Sequence, residues 1–371
     1  MKILYYYPEY NTPMFAWQRV HIFNELEHHG VEIDSFNPLL CESFDESNDR
    51  LLGMAKSKKY DLFMTCICSE KMLYICTLLE IKKLGIPTLS FRPDNLMIPF
   101  NDKKLAPLFD LLWLTSKETQ HLYDRWQVNT VFLPYAANPF SFQFKERKIE
   151  RKVIFIGTPY GSRTRMMNAL TAHGVYLDLY YGGGKPNNFN LLGFTTKINV
   201  IQQTPYQIMW DRLFYKEGRK DLIGRFLNVF KGNIQLLENE FISHFSSLDP
   251  SELSDYYAKY TLSLASTSAN HTDVLSSPLK IINLRNFEIP MSGGIEICRY
   301  NTELAEYFEE NKEIIFYHTN EELVDKAKYY TQSASDKQIL DIKRAARLRA
   351  ANNHSWWNRF TVIFDTLGLK Y

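Results

Sequence analysis

Several things are scarce in this chain, and each scarcity excludes a class of protein. No window approaches the roughly 20 consecutive apolar residues that a bilayer crossing needs. An excess of one charge is missing as well. The 43 Lys and Arg against 42 Asp and Glu leave a formal charge of +1, so bulk attraction to nucleic acid has no basis. Cysteines are few and odd in number: Cys41, Cys66, Cys68, Cys76 and Cys298 show no C-x-x-C spacing, which argues against a disulfide framework and fits free thiols in a reducing cytoplasm. There is no D-x-D triplet and no His/carboxylate cluster at ligand spacing, so neither a metal nor another cofactor is expected. Low-complexity tracts are absent. The opening "MKILYYYPEY" lacks the longer apolar core and small-residue cleavage site of a secretory signal, and a cytoplasmic location is the expectation.

What is present reads as a folded α/β protein. A length of 371 residues suits two domains, and 45% apolar, 23% charged and 15% aromatic residues are globular values with a surplus of rings. Strand-length apolar runs alternate with segments of helical spacing: "KILYYY", "WQRVHIFNELEHHG", "VEIDSF", then "DLFMTCI", "KMLYICTLLEIKKLG" and "IPTLSF". Gly30 and Gly85 fall where helices should stop. "DLLWLTS", "KETQHLYDRWQ" and "TVFLPYAANPF" complete a first doubly wound unit, and the charge-rich "QFKERKIERK" marks a boundary.

A second series begins at "KVIFIGTP", passes through "SRTRMMNALTAHG" to "VYLDLYYGGG", and resumes with "FISHFSS", "PSELSDYYAKY", "TLSLAST", a helical "SPLKIINLRNFEIP" and the strand "IEICRY". Residues from about 185 to 238 interrupt it. There Leu222, Ile223, Phe226, Leu227, Phe230, Ile234 and Leu237 recur mostly at three- and four-residue spacing, an amphipathic helical insertion. Two parallel sheets in tandem are expected to face each other across a cleft, the default ligand site.

The order "KVIFIGTPYGSRTRMMNAL", "SSLDPSELSDYYAKYTLSLAST", "LKIINLRNFEIPMSGGIEICRY", "NKEIIFYHTNEEL", "NHSWWNRF" resembles the C-terminal half of group-1 GT-B glycosyltransferases, in particular the CgeB-like (spore maturation protein-like) subset. The resemblance covers most of residues 150–360. It implies a GT-B-like architecture of two Rossmann-like domains: 1–145 on the acceptor side, 146–350 binding a nucleotide-sugar and carrying the insertion, and 351–371 a helix returning toward the N-terminal domain. It also implies transfer of a sugar to a glycan, lipid-linked or other acceptor hydroxyl.

The resemblance assigns roles to residues. Glu288 of "FEIPMSGGI" stands where the family's donor-ribose glutamate stands, with Ser292, Gly293 and Gly294 following it. The family's other glutamate falls at Lys280, a departure that leaves retention or inversion open and makes Lys280 a catalytic candidate. Arg163, after the glycine turn that begins at Gly157, takes the place of a phosphate-binding lysine. Asp94 in "LSFRPDN" falls where many members carry a His-Asp element facing the acceptor, and is the candidate for orienting or deprotonating the hydroxyl. On chemical grounds a diphosphate leaving group without a metal needs cations, which adds Arg165 and Arg285 to Arg163 and Lys280.

Structural readings stand beside these. Arg285 lies three residues before Glu288 and could form an intrahelical ion pair; Arg163 could be a solvated first-turn arginine; Asp94 could be an Asx turn after Pro93; Gly293 and Gly294 could form a plain tight turn. Glu296 alternates with Ile295 and Ile297 in a presumed strand and is expected to face away from the donor or serve a local pair. Gly182, Gly183 and Gly184 read as a phosphate cradle or a flexible turn, and Glu9 and Asn11 as weaker cleft candidates. The insertion, rich in Arg and Lys, either packs on the second domain or meets an anionic membrane peripherally. A non-catalytic nucleotide-sugar-binding or assembly protein on the same scaffold is the alternative function, and a nucleotide-sugar epimerase the alternative enzyme.

Overall fold

A computed structural model describes residues 1–10, 17–96, 99–182, 197–198, 204–230, 235–269 and 271–371. They form two compact units. Unit 1 comprises Met1–Pro134, the described part of Phe189–Arg219, and Trp356–Tyr371; unit 2 comprises the described parts of Tyr135–Asn188 and Lys220–Ser355.

Unit 1 is built on six parallel strands, β1 (Lys2–Tyr6), β2 (Glu32–Phe36), β3 (Leu62–Thr65), β4 (Thr88–Arg92), β5 (Leu111–Leu114) and β6 (Thr130–Phe132), in the order β2-β1-β3-β4-β5-β6. Both faces of the sheet are covered, which is why its strands read as unbroken apolar runs. Leu4 and Tyr6 join the cluster under the helices Phe44–Ser57 and Ile75–Lys83. Their neighbours Tyr5 and Tyr7 stack on each other at 5.3 Å, next to Phe23. The closing helix Trp356–Thr366 belongs to this unit and completes its aromatic core: Trp356 lies 5.8 Å from Trp113, and Phe360 5.3 Å. Its first turn is held by the buried Glu25 carboxylate, which accepts from the backbone N–H of Trp356 at 3.1 Å and of Trp357 at 2.8 Å. Negative charge at a helix N-terminus also suits the helix dipole.

Unit 2 has six parallel strands, β7 (Glu150–Ile156), β8 (Leu177–Tyr180), β9 (Ile242–Phe245), β10 (Tyr260–Ala265), β11 (Glu296–Arg299) and β12 (Ile315–Tyr317). Read from β9 the order is β9-β8-β7-β10-β11-β12, the Rossmann order, with its reversal between β7 and β10. The helix expected over "SPLKIINLRNFEIP" forms only from Arg285 to Met291. Asn283 starts it there, its side chain accepting from the Arg285 N–H at 3.1 Å while its own N–H donates to Asn286 Oδ1 at 2.8 Å. The stretch before it is held extended instead, with the Ile281 N–H donating to the Thr267 carbonyl and Lys280 bridged antiparallel to Ser268.

The helix Lys216–Phe230 carries the expected stripe only from Leu222 to Phe230, with Leu237 lying in a non-helical stretch beyond it, and its apolar side points outward. Ile223, Phe226, Val229 and Phe230 are exposed, whereas Asp221, Gly224 and Asn228 are buried. The reason is steric and polar. A Cβ at Gly224 would stand 2.8 Å from the His271 carbonyl oxygen, and Asn228 donates to that same carbonyl at 2.8 Å. Ile234 of the predicted stripe lies outside the described residues.

The cap on the last helix yields a test. Glu25→Ala should leave two buried N–H groups without their acceptor and lower unfolding free energy by about 1–2 kcal/mol, read as a smaller urea midpoint, with Glu25→Gln falling in between. Equal midpoints for all three chains would remove the cap from the account.

Candidate functional site

Parallel sheets bind ligands beyond the carboxyl ends of their strands, at the point where strand order reverses. In unit 2 that point follows β7. Gly157 comes next, with φ of +133°, donating its N–H to the Tyr180 carbonyl at 2.9 Å. A Cβ there would stand 2.9 Å from Arg285 Nη2, so the glycine makes room for a guanidinium.

Arg163 reaches the same place from the first turn of the helix Ser162–Ala172. Its Nη1 donates to the Thr158 carbonyl at 3.1 Å and its guanidinium lies over the Tyr160 ring at 4.4 Å. Phe155, near the end of β7, is shared: the Arg163 guanidinium lies 5.8 Å from its ring and the Arg285 guanidinium 5.5 Å. Burial and then the charge of Arg285 push the Arg163 guanidinium below its ordinary range. Among the described residues neither arginine forms an ion pair, and the buried Arg285 Nε has no hydrogen-bond partner. The intrahelical pair between Arg285 and Glu288 is therefore not formed. Two part-buried cations beside one ring, neither of them in an ion pair, make a candidate site for an anion.

The remaining candidates are placed as follows. Glu288 sits in the first turn of Arg285–Met291 and is buried, one turn beyond Arg285. Arg165 is committed elsewhere, to Asp273 at 2.5 Å and Asn228 at 2.6 Å. Lys280 is exposed on the extended loop, its Nζ 3.2 Å from Thr302 Oγ1, and no described contact joins it to the two arginines. Ser292, Gly293 and Gly294 are not brought to the cation site. They end the helix and lead into the amino end of β11, whereas the cations stand beyond the carboxyl end of β7. Their chemistry is packing: the Ser292 hydroxyl donates to the Glu288 carbonyl at 2.7 Å, and a Cβ on Gly293, at φ +71°, would come within 2.2 Å of the Phe144 ring.

Glu296 is engaged locally. It is buried in β11 and its Oε1 accepts from Asn286 Nδ2 at 2.5 Å. Burial pushes its carboxyl up to about 7, against the pull of neighbouring Cys298 and Asn286 and of the Arg285 charge.

In unit 1, Asp94 is exposed at the carboxyl end of β4 with φ of 56°, its N–H donating to Thr115 Oγ1 at 3.1 Å. Glu9, after β1, is buried and clasped by Arg19 at 2.5 and 2.6 Å. Asn11, Gly183 and Gly184 lie outside the described residues.

One group of residues escaped the sequence reading. Thr267, Arg299, His318 and Asn320, following β10, β11 and β12, line a cavity of about 670 Å³ in unit 2. Their signal was positional, since each lies at or just beyond the carboxyl end of a parallel strand. Among the described residues no three His, Cys, Asp or Glu gather as metal ligands would, and no helix is long and apolar enough to cross a membrane.

Comparison with known proteins agrees with this fold. A family model described as glycosyl transferase-like matches residues 222–365. A search of curated proteins by sequence finds no match. Solved structures similar along nearly the whole chain include Anabaena HepE in complex with UDP and glucose (11% identity, 99% of each chain covered, TM-score 0.56). Others are a sucrose-phosphate synthase from Thermosynechococcus elongatus (11%, 99% of each, 0.55) and a glycosyltransferase from Rickettsia africae (12%, 99% of this chain and 98% of that one, 0.57). The chain thus has the GT-B fold, two Rossmann-like domains, with a glycosyl transferase-like segment in its second half.

The buried Glu296 carboxyl makes stability depend on pH. Because its folded value, about 7, stands above the ordinary 4.5, the native state holds a proton that the unfolded chain releases, and stability falls as pH rises through that window. Glu296→Gln should raise the melting temperature by a few degrees at pH 8 and change it little at pH 4.5. A gain of the same size at both values would show that Glu296 is not held protonated.

Proposed function

We propose that the protein transfers a sugar from a nucleotide-sugar donor to an acceptor hydroxyl, with unit 2 holding the nucleotide diphosphate. The observation that carries this is the Arg163 and Arg285 pair beside Gly157, part-buried and outside any ion pair among the described residues, at the strand-order reversal of a Rossmann sheet. Charge that grows on a departing diphosphate is stabilised there by groups already in place, which lowers the barrier more than mobile water can. On this reading the reaction is metal-independent. Glu288 takes the ribose hydroxyls, and the cavity beyond β10–β12 takes further parts of the donor. HepE, crystallised with UDP and with UDP-glucose, makes UDP the first nucleotide to try.

The same reading assigns Asp94 to the acceptor, as the group that orients or deprotonates its hydroxyl. The order of motifs in residues 150–360 supports a place in the CgeB-like subset of group-1 enzymes. The acceptor is a glycan or a lipid-linked saccharide, and peripheral contact with a membrane follows if the saccharide is lipid-linked. Lys280, standing where a glutamate is usual, is kept as a candidate in the transfer step despite its exposure.

Incubation with a panel of nucleotide sugars, with and without chelator, tests the proposal through released nucleotide. Turnover that persists in chelator is the expected result. Binding without turnover would favour a non-catalytic module, and loss of turnover restored by magnesium would overturn metal independence.

Arg163→Ala and Arg285→Ala should each weaken UDP binding roughly tenfold to a hundredfold in calorimetry, as expected for lost charge-assisted hydrogen bonds. Glu288→Ala should do the same and Glu296→Ala should not. In contrast, Asp94→Asn should depress transfer while leaving UDP affinity within about twofold. Unchanged affinity in both arginine variants would move the diphosphate elsewhere.

A further inference from the structure

The helix Pro205–Arg212 and the turn behind it, in unit 1, are held by groups other than their large side chains. At its start Thr204 and Gln207 form a reciprocal capping box, the Thr204 N–H donating to Gln207 Oε1 at 2.9 Å and the Gln207 N–H to Thr204 Oγ1 at 3.3 Å. At its end Arg219 Nη1 donates to the Leu213 carbonyl at 3.0 Å. The anchor is Tyr215, buried, its hydroxyl donating to the Leu96 carbonyl at 3.3 Å and its ring 5.7 Å from Phe100.

The apolar residues are left outside. Tyr206, Met209, Trp210, Leu213 and Phe214 recur at i, i+3, i+4, i+7 and i+8, the spacing of one helix face, and all five are exposed: Tyr206 80%, Trp210 62% and Phe214 58%. On soluble domains such a stripe normally faces the core. Here nothing among the described residues covers it, and the Trp210 and Phe214 rings contact each other at 5.5 Å. The following helix keeps the same habit, with Phe226, Val229 and Phe230 exposed on its own outer side.

Charge decides what can cover the stripe. In residues 204–219 the fully exposed charges are cations, Lys216 and Arg219, with Arg212 partly exposed. Glu217 in the same stretch is buried with its carboxylate 3.7 Å from His121, and Asp211 is only partly exposed. A symmetric contact with a second copy would bring these like charges toward each other. A helix of this length cannot span a bilayer. Trp, Tyr and Phe on one side with Lys and Arg beside them are the composition of a helix lying in the headgroup layer of an anionic membrane. We propose that the Pro205–Arg212 helix and its following turn form a membrane-docking face, with Tyr206, Trp210 and Phe214 entering the interface and Lys216 and Arg219 meeting anionic headgroups. This goes beyond the transferase reading and does not depend on it.

Flotation of the full chain tests the proposal, with vesicles of phosphatidylcholine alone or with phosphatidylglycerol added and no donor present. The full chain should float with the anionic vesicles. Trp210→Glu combined with Phe214→Glu should lower the partition at least tenfold, and Lys216→Glu combined with Arg219→Glu should abolish the preference for phosphatidylglycerol, each with its melting temperature preserved. Light scattering on the same samples identifies a second copy as the occupant. Failure of the natural chain to float, equal flotation of the aromatic variant, or a dimer that this variant makes monomeric would overturn the proposal. Because no nucleotide takes part, any of these leaves the donor site untouched.

Discussion

Two positive charges held near one another, neither of them in an ion pair, are an expense that a fold does not carry by accident. Arg163 and Arg285 come from different helices and lean on the same Phe155 ring, and one of them is accommodated only because Gly157 has no side chain. Other arginines near the core are answered. Arg92 meets Asp102 at 2.8 Å, Arg165 meets Asp273, and Arg19 clasps Glu9. The unanswered pair stands at the one position in the Rossmann strand order where the loops after adjacent strands diverge. The strand order, the glycine and the start of the Arg285 helix all serve that placement.

The two glutamates flanking the Gly-Gly pair illustrate how an element settles a side chain's role. Glu288 lies in the turn that follows Arg285 along one helix, so it is carried toward the same end of the sheet. Glu296 lies on the strand after the turn, and Asn286 holds one oxygen of its carboxyl. Eight residues and a change of element separate a group beside the cations from one that behaves as part of the core.

Much of the architecture was legible because parallel strands buried on both faces leave unbroken apolar runs, and the helices between them carry stop signals at Gly30 and Gly85. The Phe44–Ser57 helix was legible from its start: Ser43 caps it, its Oγ accepting from the Glu46 N–H at 3.1 Å, and the Glu46 carboxylate accepts from the Glu42 N–H at 2.8 Å. Of the site, the residue types were readable and their engagements were not. Nothing local distinguishes Arg165, paired through Asp273 from far along the chain, from Arg163, which has no such partner. Gly293 looked like a ligand approach and instead admits the Phe144 ring. The helix Lys216–Phe230 misleads for a related reason, since periodicity reports that a face is apolar but not which way it turns. A sheet order shared with transferases at 11–12% identity survives because it constrains backbone, while such pairings are free to change.

The closing helix carries a consequence for how the chain is made. Trp356 and Phe360 fill the aromatic core of a unit whose six strands all lie before residue 135, and Glu25 waits near the start of the chain for the N–H groups of Trp356 and Trp357. On the ribosome the first sheet emerges long before the residues that seal it, and unit 2 is synthesised in between. During that interval Trp113, Phe91 and their neighbours present an apolar surface that only the last segment can close. Translation of this protein therefore has an exposed interval set by the length of its second domain, during which a holding chaperone has its natural target in the first.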